Sequence, residues 1–183
     1  MKKSTILTAL LLIAISTQLH AQAVNTTPKF DQSSLGVGLG LDYGGIGVNY
    51  AVFPSQNVGL FGGAGFALAG VGYNVGVKLR SVPKKANQMT CFYGLAMYGY
   101  NAAIAITNKT SLNKLFYGPT IGVGFDLRSH PYTKNSYWSF ALLIPIRSAE
   151  VDQYIDDLKN YQGVEFKNNL FPIAISVGYR FGY

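Results

Sequence analysis

Residues Phe171 to Tyr183 read F-P-I-A-I-S-V-G-Y-R-F-G-Y, and they alternate with a period of two. Phe171, Ile173, Ile175, Val177, Tyr179, Phe181 and Tyr183 fall on one face; Pro172, Ala174, Ser176, Gly178, Arg180 and Gly182 fall on the other. A strand sends successive side chains to opposite faces, so one face here is wholly apolar and ends in aromatics. A soluble sheet with that face inward would carry Lys, Glu and Thr on its wet side. This one carries glycine, alanine, serine and a single arginine. The pattern predicts a strand with an apolar surround on one side and a narrow interior on the other, and the chain stops on its aromatic face.

The same alternation starts at Ser34 and hardly pauses. It predicts strands at 34–42, 46–53, 58–68, 71–80, 89–100, 116–128, 136–146 and 171–183. In the first, Leu35, Val37, Leu39 and Leu41 oppose Gly36, Gly38 and Gly40. In the fourth, Val71, Tyr73, Val75, Val77 and Leu79 oppose Gly72, Asn74, Gly76, Lys78 and Arg80. In the fifth, Cys91, Tyr93, Leu95 and Met97 are assigned to the apolar outer face, against Phe92, Gly94, Ala96 and Tyr98. The third is glycine-rich, and Phe61 breaks its pattern by pointing inward. Strands of about ten residues match a bilayer crossed at a tilt near 45°. With both termini on one side, the long connections 101–115 and 147–169 fall on the opposite side. Pro54, Pro83 and Pro131 fall in the three short turns. Within 147–169, Val151, Ile155 and Leu158 are spaced for a short helix.

Residues 1–23 have the form of a cleaved secretory signal: Lys2 and Lys3, an apolar stretch from Ile6 to Ile15, and Ala21-Gln22-Ala23 as a small-x-small cleavage site, with cleavage after Ala21 as an alternative. Residues 24–33 form a polar lead-in, and 34–183 one domain. No later stretch approaches eighteen uninterrupted apolar residues, which excludes a transmembrane helix. Charged residues are 13% of the chain, about half the usual share. The formal charge is +7, or +5 without the signal, and no basic run points to nucleic acid. Cys91 is the single cysteine; it permits no internal disulfide and is expected to pack as a small hydrophobe.

The terminal strand, the even strand count and the loop asymmetry together resemble the small bacterial outer-membrane β-barrels of the OmpA/OmpX type. The resemblance covers nearly the whole chain. It implies an all-β fold, an eight-stranded antiparallel transmembrane up-and-down β-barrel, in the outer membrane of a Gram-negative cell envelope. It also implies that Ile175, Val177, Tyr179, Phe181 and Tyr183 are read by the barrel-assembly machinery, and that outer-membrane lipid is the surrounding partner.

The candidate chemistry lies on the small-residue face. Lys78, Arg80, Asp126, Arg128 and Arg180 all map to the lumen. The expected arrangement is a plug in which Asp126 pairs with an arginine while the remaining cations are hydrated at the mouth. The alternative is a narrow, anion-preferring pore, with the inward glycines leaving a file of water. His130, the sole histidine after the signal, falls in a short turn on the terminal side. That is the wrong side for a lipid-modifying enzyme, which needs an activated nucleophile near the outer leaflet. No phosphate-binding motif occurs, and no cofactor or metal is expected. The expectation is a non-enzymatic structural or surface-interaction protein, with loops 101–115 and 147–169 available to an extracellular partner. A porin-like pore is the second reading and a lipid-modifying enzyme the third.

Overall fold

The computed structural model describes residues 30–82, 89–106, 110–128, 136–162 and 170–183. The signal at 1–23, residues 24–29 of the lead-in, the Pro83 and Pro131 turns with His130, and residues 107–109 and 163–169 lie outside them. Eight strands form a closed antiparallel barrel in sequence order. They are β1 (Ser33–Gly40), β2 (Gly45–Val52), β3 (Val58–Phe66), β4 (Val71–Arg80), β5 (Thr90–Ile104), β6 (Lys114–Arg128), β7 (Ser136–Pro145) and β8 (Ala174–Gly182). The ring closes where β1 pairs with β8, with Leu35 opposite Phe181 and Leu39 opposite Val177. Closure gives every strand two neighbours and removes the open edges of a flat sheet.

Alternation sorts the side chains as the sequence predicts on seven of the eight strands. The outward set includes Leu35, Val48, Leu60, Val75, Val123, Leu142 and Ile175, all exposed. Among the described residues, no outward position on β1–β8 carries Lys, Arg, Asp or Glu. Aromatics gather at two levels. Near the end that holds the termini, a contiguous row runs Phe92, Phe125, Phe140, Trp138, Tyr179, Phe181, with neighbouring ring centroids 5.1–6.4 Å apart. Toward the other end Tyr73 meets Tyr117 at 5.0 Å.

The fifth strand corrects the sequence reading. Tyr93 and Met97 are each 5% exposed, whereas Phe92 is 61% and Tyr98 59% exposed. Cys91, Tyr93, Leu95 and Met97 therefore face the lumen, and the small residues Gly94 and Ala96 face outward. Volume explains the inversion. A Cβ on Gly124 of β6 would fall on the Tyr93 ring, and one on Gly76 of β4 would touch Met97. Bulk on β5 fills the space that glycine leaves on its neighbours, as close packing demands. Leu41 is a second correction. It belongs to the interior, because β1 ends at Gly40 and residues Leu41–Tyr43 form a single 3-10 turn whose side chains are all buried.

The stretch 101–115 holds the end of β5 and the start of β6, with a 3-10 turn at Thr110–Leu112 between them. β5 and β6 continue pairing to Ile104 opposite Lys114, past a bulge at Asn101, whose side-chain amide donates to the Ile146 carbonyl at 3.0 Å. The 147–169 connection holds helix α1 (Ala149–Gln162). Val151 and Leu158 of α1 are buried against Ala102, Ile104 and Phe116, with Ile155 packed alongside, so the three- and four-residue spacing does mark the seated face. Phe116 has the inward parity of β6, so α1 lies on the lumen side of the β5–β6 extension. Lys114 fastens it through Glu150 at 2.8 Å, and the Tyr154 hydroxyl donates to the Leu112 carbonyl at 2.7 Å.

Candidate functional site

The candidate site is the barrel interior, and it begins with a row of glycines. Register places Gly178 beside Gly38, Gly38 beside Gly47, Gly47 beside Gly65, and Gly65 beside Gly72. Five consecutive strands thus present hydrogen atoms at one level. The 3-10 turn occupies the trough they leave. A Cβ on Gly38 or Gly178 would strike the Tyr43 ring, one on Gly47 or Gly65 the Tyr43 carbonyl, and one on Gly72 the Gly44 carbonyl. Only glycine permits so close an approach of backbone to backbone. Gly44, at φ 70°, takes the left-handed conformation that brings the chain back out to β2.

The seated turn is held by polar side chains from the surrounding wall. Asn49 donates to the Asp42 carbonyl at 2.6 Å. Asn74 donates to the Leu41 carbonyl and, at 3.2 Å, to that of Tyr100. The Ser176 hydroxyl donates to the Asp42 carboxylate. Each of these three residues is buried, so the partners replace water that the backbone would otherwise need.

Below the turn, toward the termini, the charges are arranged in two tiers. In the upper one Lys78 Nζ lies 2.9 and 3.1 Å from the two oxygens of Asp126. Ser139 donates to Asp126 at 2.7 Å and shares a 3.0 Å hydrogen bond with the Tyr93 hydroxyl. The ammonium also sits 3.5 Å from the Tyr93 ring centroid. Beside this group, Arg180 donates to Ser34 at 3.0 and 3.1 Å and to the Asn49 side-chain oxygen at 2.9 Å. Its third partner, the Tyr43 hydroxyl at 3.4 Å, ties the turn to β8.

The lower tier centres on Asp31. Arg80 reaches its carboxylate at 3.0 Å, Arg128 at 2.5 Å and the Tyr137 hydroxyl at 3.0 Å. Arg80 also donates to the Asp31 carbonyl at 2.9 Å and stacks 3.6 Å over the Phe53 ring. Burial by itself would raise the Asp31 carboxyl, but the guanidiniums of Arg128 and Arg80 outweigh it and hold it below the ordinary aspartate range. The backbone carries Asp31 into place, since the amides of Gln32 and Ser33 both donate to the Tyr183 carbonyl.

All five lumen charges read from the sequence are buried inside the barrel, but their partners differ from expectation. Asp126 pairs with Lys78, not with an arginine. Arg80 and Arg128 share Asp31 instead of facing water at the mouth. Three carboxylates, Asp31, Asp42 and Asp126, stand among the four cations, where the sequence reading counts one. The alternation places Asp42 at the end of the first strand, with Tyr43 opening the turn after it, and Asp31 in the polar lead-in. The void between Asp42, Lys78 and Arg180 measures about 10 Å³, room for about one water. Ile175, Phe181 and Tyr183 lie exposed on the outer face of the closing strand, with Val177 and Tyr179 half-buried among their neighbours. Among the described residues, no group of three or more His, Cys, Asp or Glu is placed to hold a metal ion. No protein-family model matches the chain, and no curated protein or solved structure matches it either.

Proposed function

We propose that the chain is an integral outer-membrane β-barrel protein, closed to bulk flow, with a non-enzymatic structural or surface-interaction role. The observation that carries this reading is the outer face. A charge-free apolar belt encircles the barrel, with aromatics at two levels. Soluble monomers rarely expose one patch above roughly 300–600 Å², and a belt around eight strands far exceeds that. A ten-residue strand such as β4, rising about 3.3 Å per residue and tilted near 40°, gives a height of about 25 Å, the thickness of the apolar band on such barrels. The signal at 1–23 supplies the export route. The buried turn, the two charge tiers and the one-water void favour a plugged lumen over a pore. In this placement α1 stands at the outer rim, and its exposed Asp152, Asp156 and Asp157 make it the element offered to an extracellular partner.

Fractionation tests the membrane reading. The mature chain should sediment with outer membranes and migrate faster on a gel unheated than boiled. A soluble periplasmic chain would refute it. Planar-bilayer recording tests closure separately: the wild-type protein should give no steady current, and a stable single-channel conductance would return the assignment to a pore.

A further inference from the structure

At the end away from the termini the wall is incomplete. β8 pairs with β7 up to Ala174, opposite Leu143, but with β1 only up to Val177, opposite Leu39. Because β1 leaves the sheet after Gly40, which lies against Ser176, to form the buried turn, Ala174 and Ile175 have no strand paired with them on that side. A cavity of about 300 Å³ fills the gap. Its lining mixes the two faces of the barrel. Leu39, Ile46 and Ile175 come from the outer belt, whereas Leu41 and Ala67 are buried and Tyr100 is half-buried. A cavity lined by both faces passes through the wall. It is a lateral notch, lined by the buried Leu41 and by the exposed Leu68.

We propose that this notch takes one acyl chain of a surrounding lipid. The inference rests on the membrane reading above and adds a specific ligand class to it. The lining offers no charged side chain, so it cannot recognise a headgroup or hold an ion. An apolar cavity of about 150 Å³ stays dry and takes a benzene-sized guest; about twice that volume accommodates a segment of hydrocarbon chain. The notch opens sideways, continuous with the apolar belt through Leu39, Ile46 and Ile175. In the proposed placement its neighbour there is the lipid. The same feature that plugs the lumen therefore creates the site: the turn that folds inward leaves its place in the wall empty.

The test is photo-crosslinking of the full-length mature protein in phosphatidylcholine vesicles that contain a lipid with a diazirine on its acyl chain, with adducts mapped by mass spectrometry. Adducts at outward Val48 and Val123 report the belt; adducts at Leu41 or Tyr100 report the notch. The expected result is both. Ala174→Phe, which fills the notch from its rim, should abolish the Leu41 and Tyr100 adducts and leave those on the belt. Ala67→Phe serves the same purpose if the first variant lacks the gel shift of a folded barrel. Belt adducts alone would overturn the notch and spare the membrane reading. Notch adducts undiminished in the folded filled variants would overturn it too. No belt adducts would remove the membrane reading and this inference with it.

Discussion

Asp126→Asn puts the closed interior under direct strain. In the native protein Lys78 meets both Asp126 oxygens at 2.9 and 3.1 Å, and the two side chains are 6% and 1% exposed. The substitution removes the negative charge and turns one acceptor into a donor, leaving a buried ammonium with the Tyr93 ring and neutral oxygens in contact and the Asp42 carboxyl only across a small void. Breaking one side of a buried pair typically costs about 3–5 kcal/mol. The asparagine oxygen can still accept from Ser139 or Lys78, which places the expected loss at the lower end. At about 1.4 kcal/mol per tenfold, 3 kcal/mol changes the folding equilibrium by roughly two orders of magnitude. The measurement is a urea titration of protein in vesicles, following the fraction that keeps the unheated gel position. Removing both charges together, as Lys78→Met with Asp126→Leu, should recover most of the loss, since buried pairs replaced by apolar residues of similar size are often neutral or better. An unchanged midpoint for Asp126→Asn, or a double variant no more stable than the single one, would show that the pair is not closed off from water as drawn.

Gly178→Val should clash with the Tyr43 ring and cost about 1–3 kcal/mol, and adding Tyr43→Ala should recover part of it; a wild-type midpoint for the single variant would contradict the seating of the turn. The Asp31 carboxyl is lowered in the folded state, so its stabilisation is present above the free-aspartate value near 3.9 and drains away as pH falls below it through the folded value. Asp31→Asn should therefore lower the midpoint at pH 7 and flatten its decline below pH 4, and an acid profile parallel to wild type would contradict the assignment. Phe181→Ser with Tyr183→Ser removes two outward aromatics from the closing strand and should deplete the protein from the outer membrane; normal levels would show that this strand is not what the assembly machinery reads.

The fold was legible because alternation is a property of a single strand. Val71 to Arg80 can be sorted into faces with no knowledge of neighbours, and the faces so assigned are the ones observed. Where the reading failed, the deciding quantity lay between strands. On β5 both faces carry aromatics, Tyr93 on one and Phe92 and Tyr98 on the other. Intrinsic size favoured putting Gly94 and Ala96 inside. What reverses the choice is the glycine at 124 on β6 and at 76 on β4, whose missing side chains leave room that Tyr93 takes at the first and Met97, with Phe61, at the second. Asp31 escaped for a similar reason. The lead-in at 24–33 looks like a polar tether until Arg80 and Arg128, some fifty and a hundred positions away, converge on Asp31.

The glycine row shows what a sequence holds without displaying. Gly38, Gly47, Gly65, Gly72 and Gly178 are separated by gaps of 9, 18, 7 and 106 residues, and read singly each is a small residue on an inward face. Once antiparallel register is fixed they become one surface. A narrow lumen alone would not require five glycines at one level, because alanine would also fit an interior packed by ordinary side chains. A backbone segment lying against the wall does require them. The D-Y-G-G turn at 42–45 supplies that segment: its glycines let the chain reverse, and its aspartate and tyrosine are polar enough to bond Ser176 and Arg180 once inside. The turn and the row are therefore two halves of one device, and neither has a physical reason to be there without the other. Its cost is the gap beside the start of β8, where Ala174 and Ile175 pair with β7 on one side but have no β1 residue paired with them on the other.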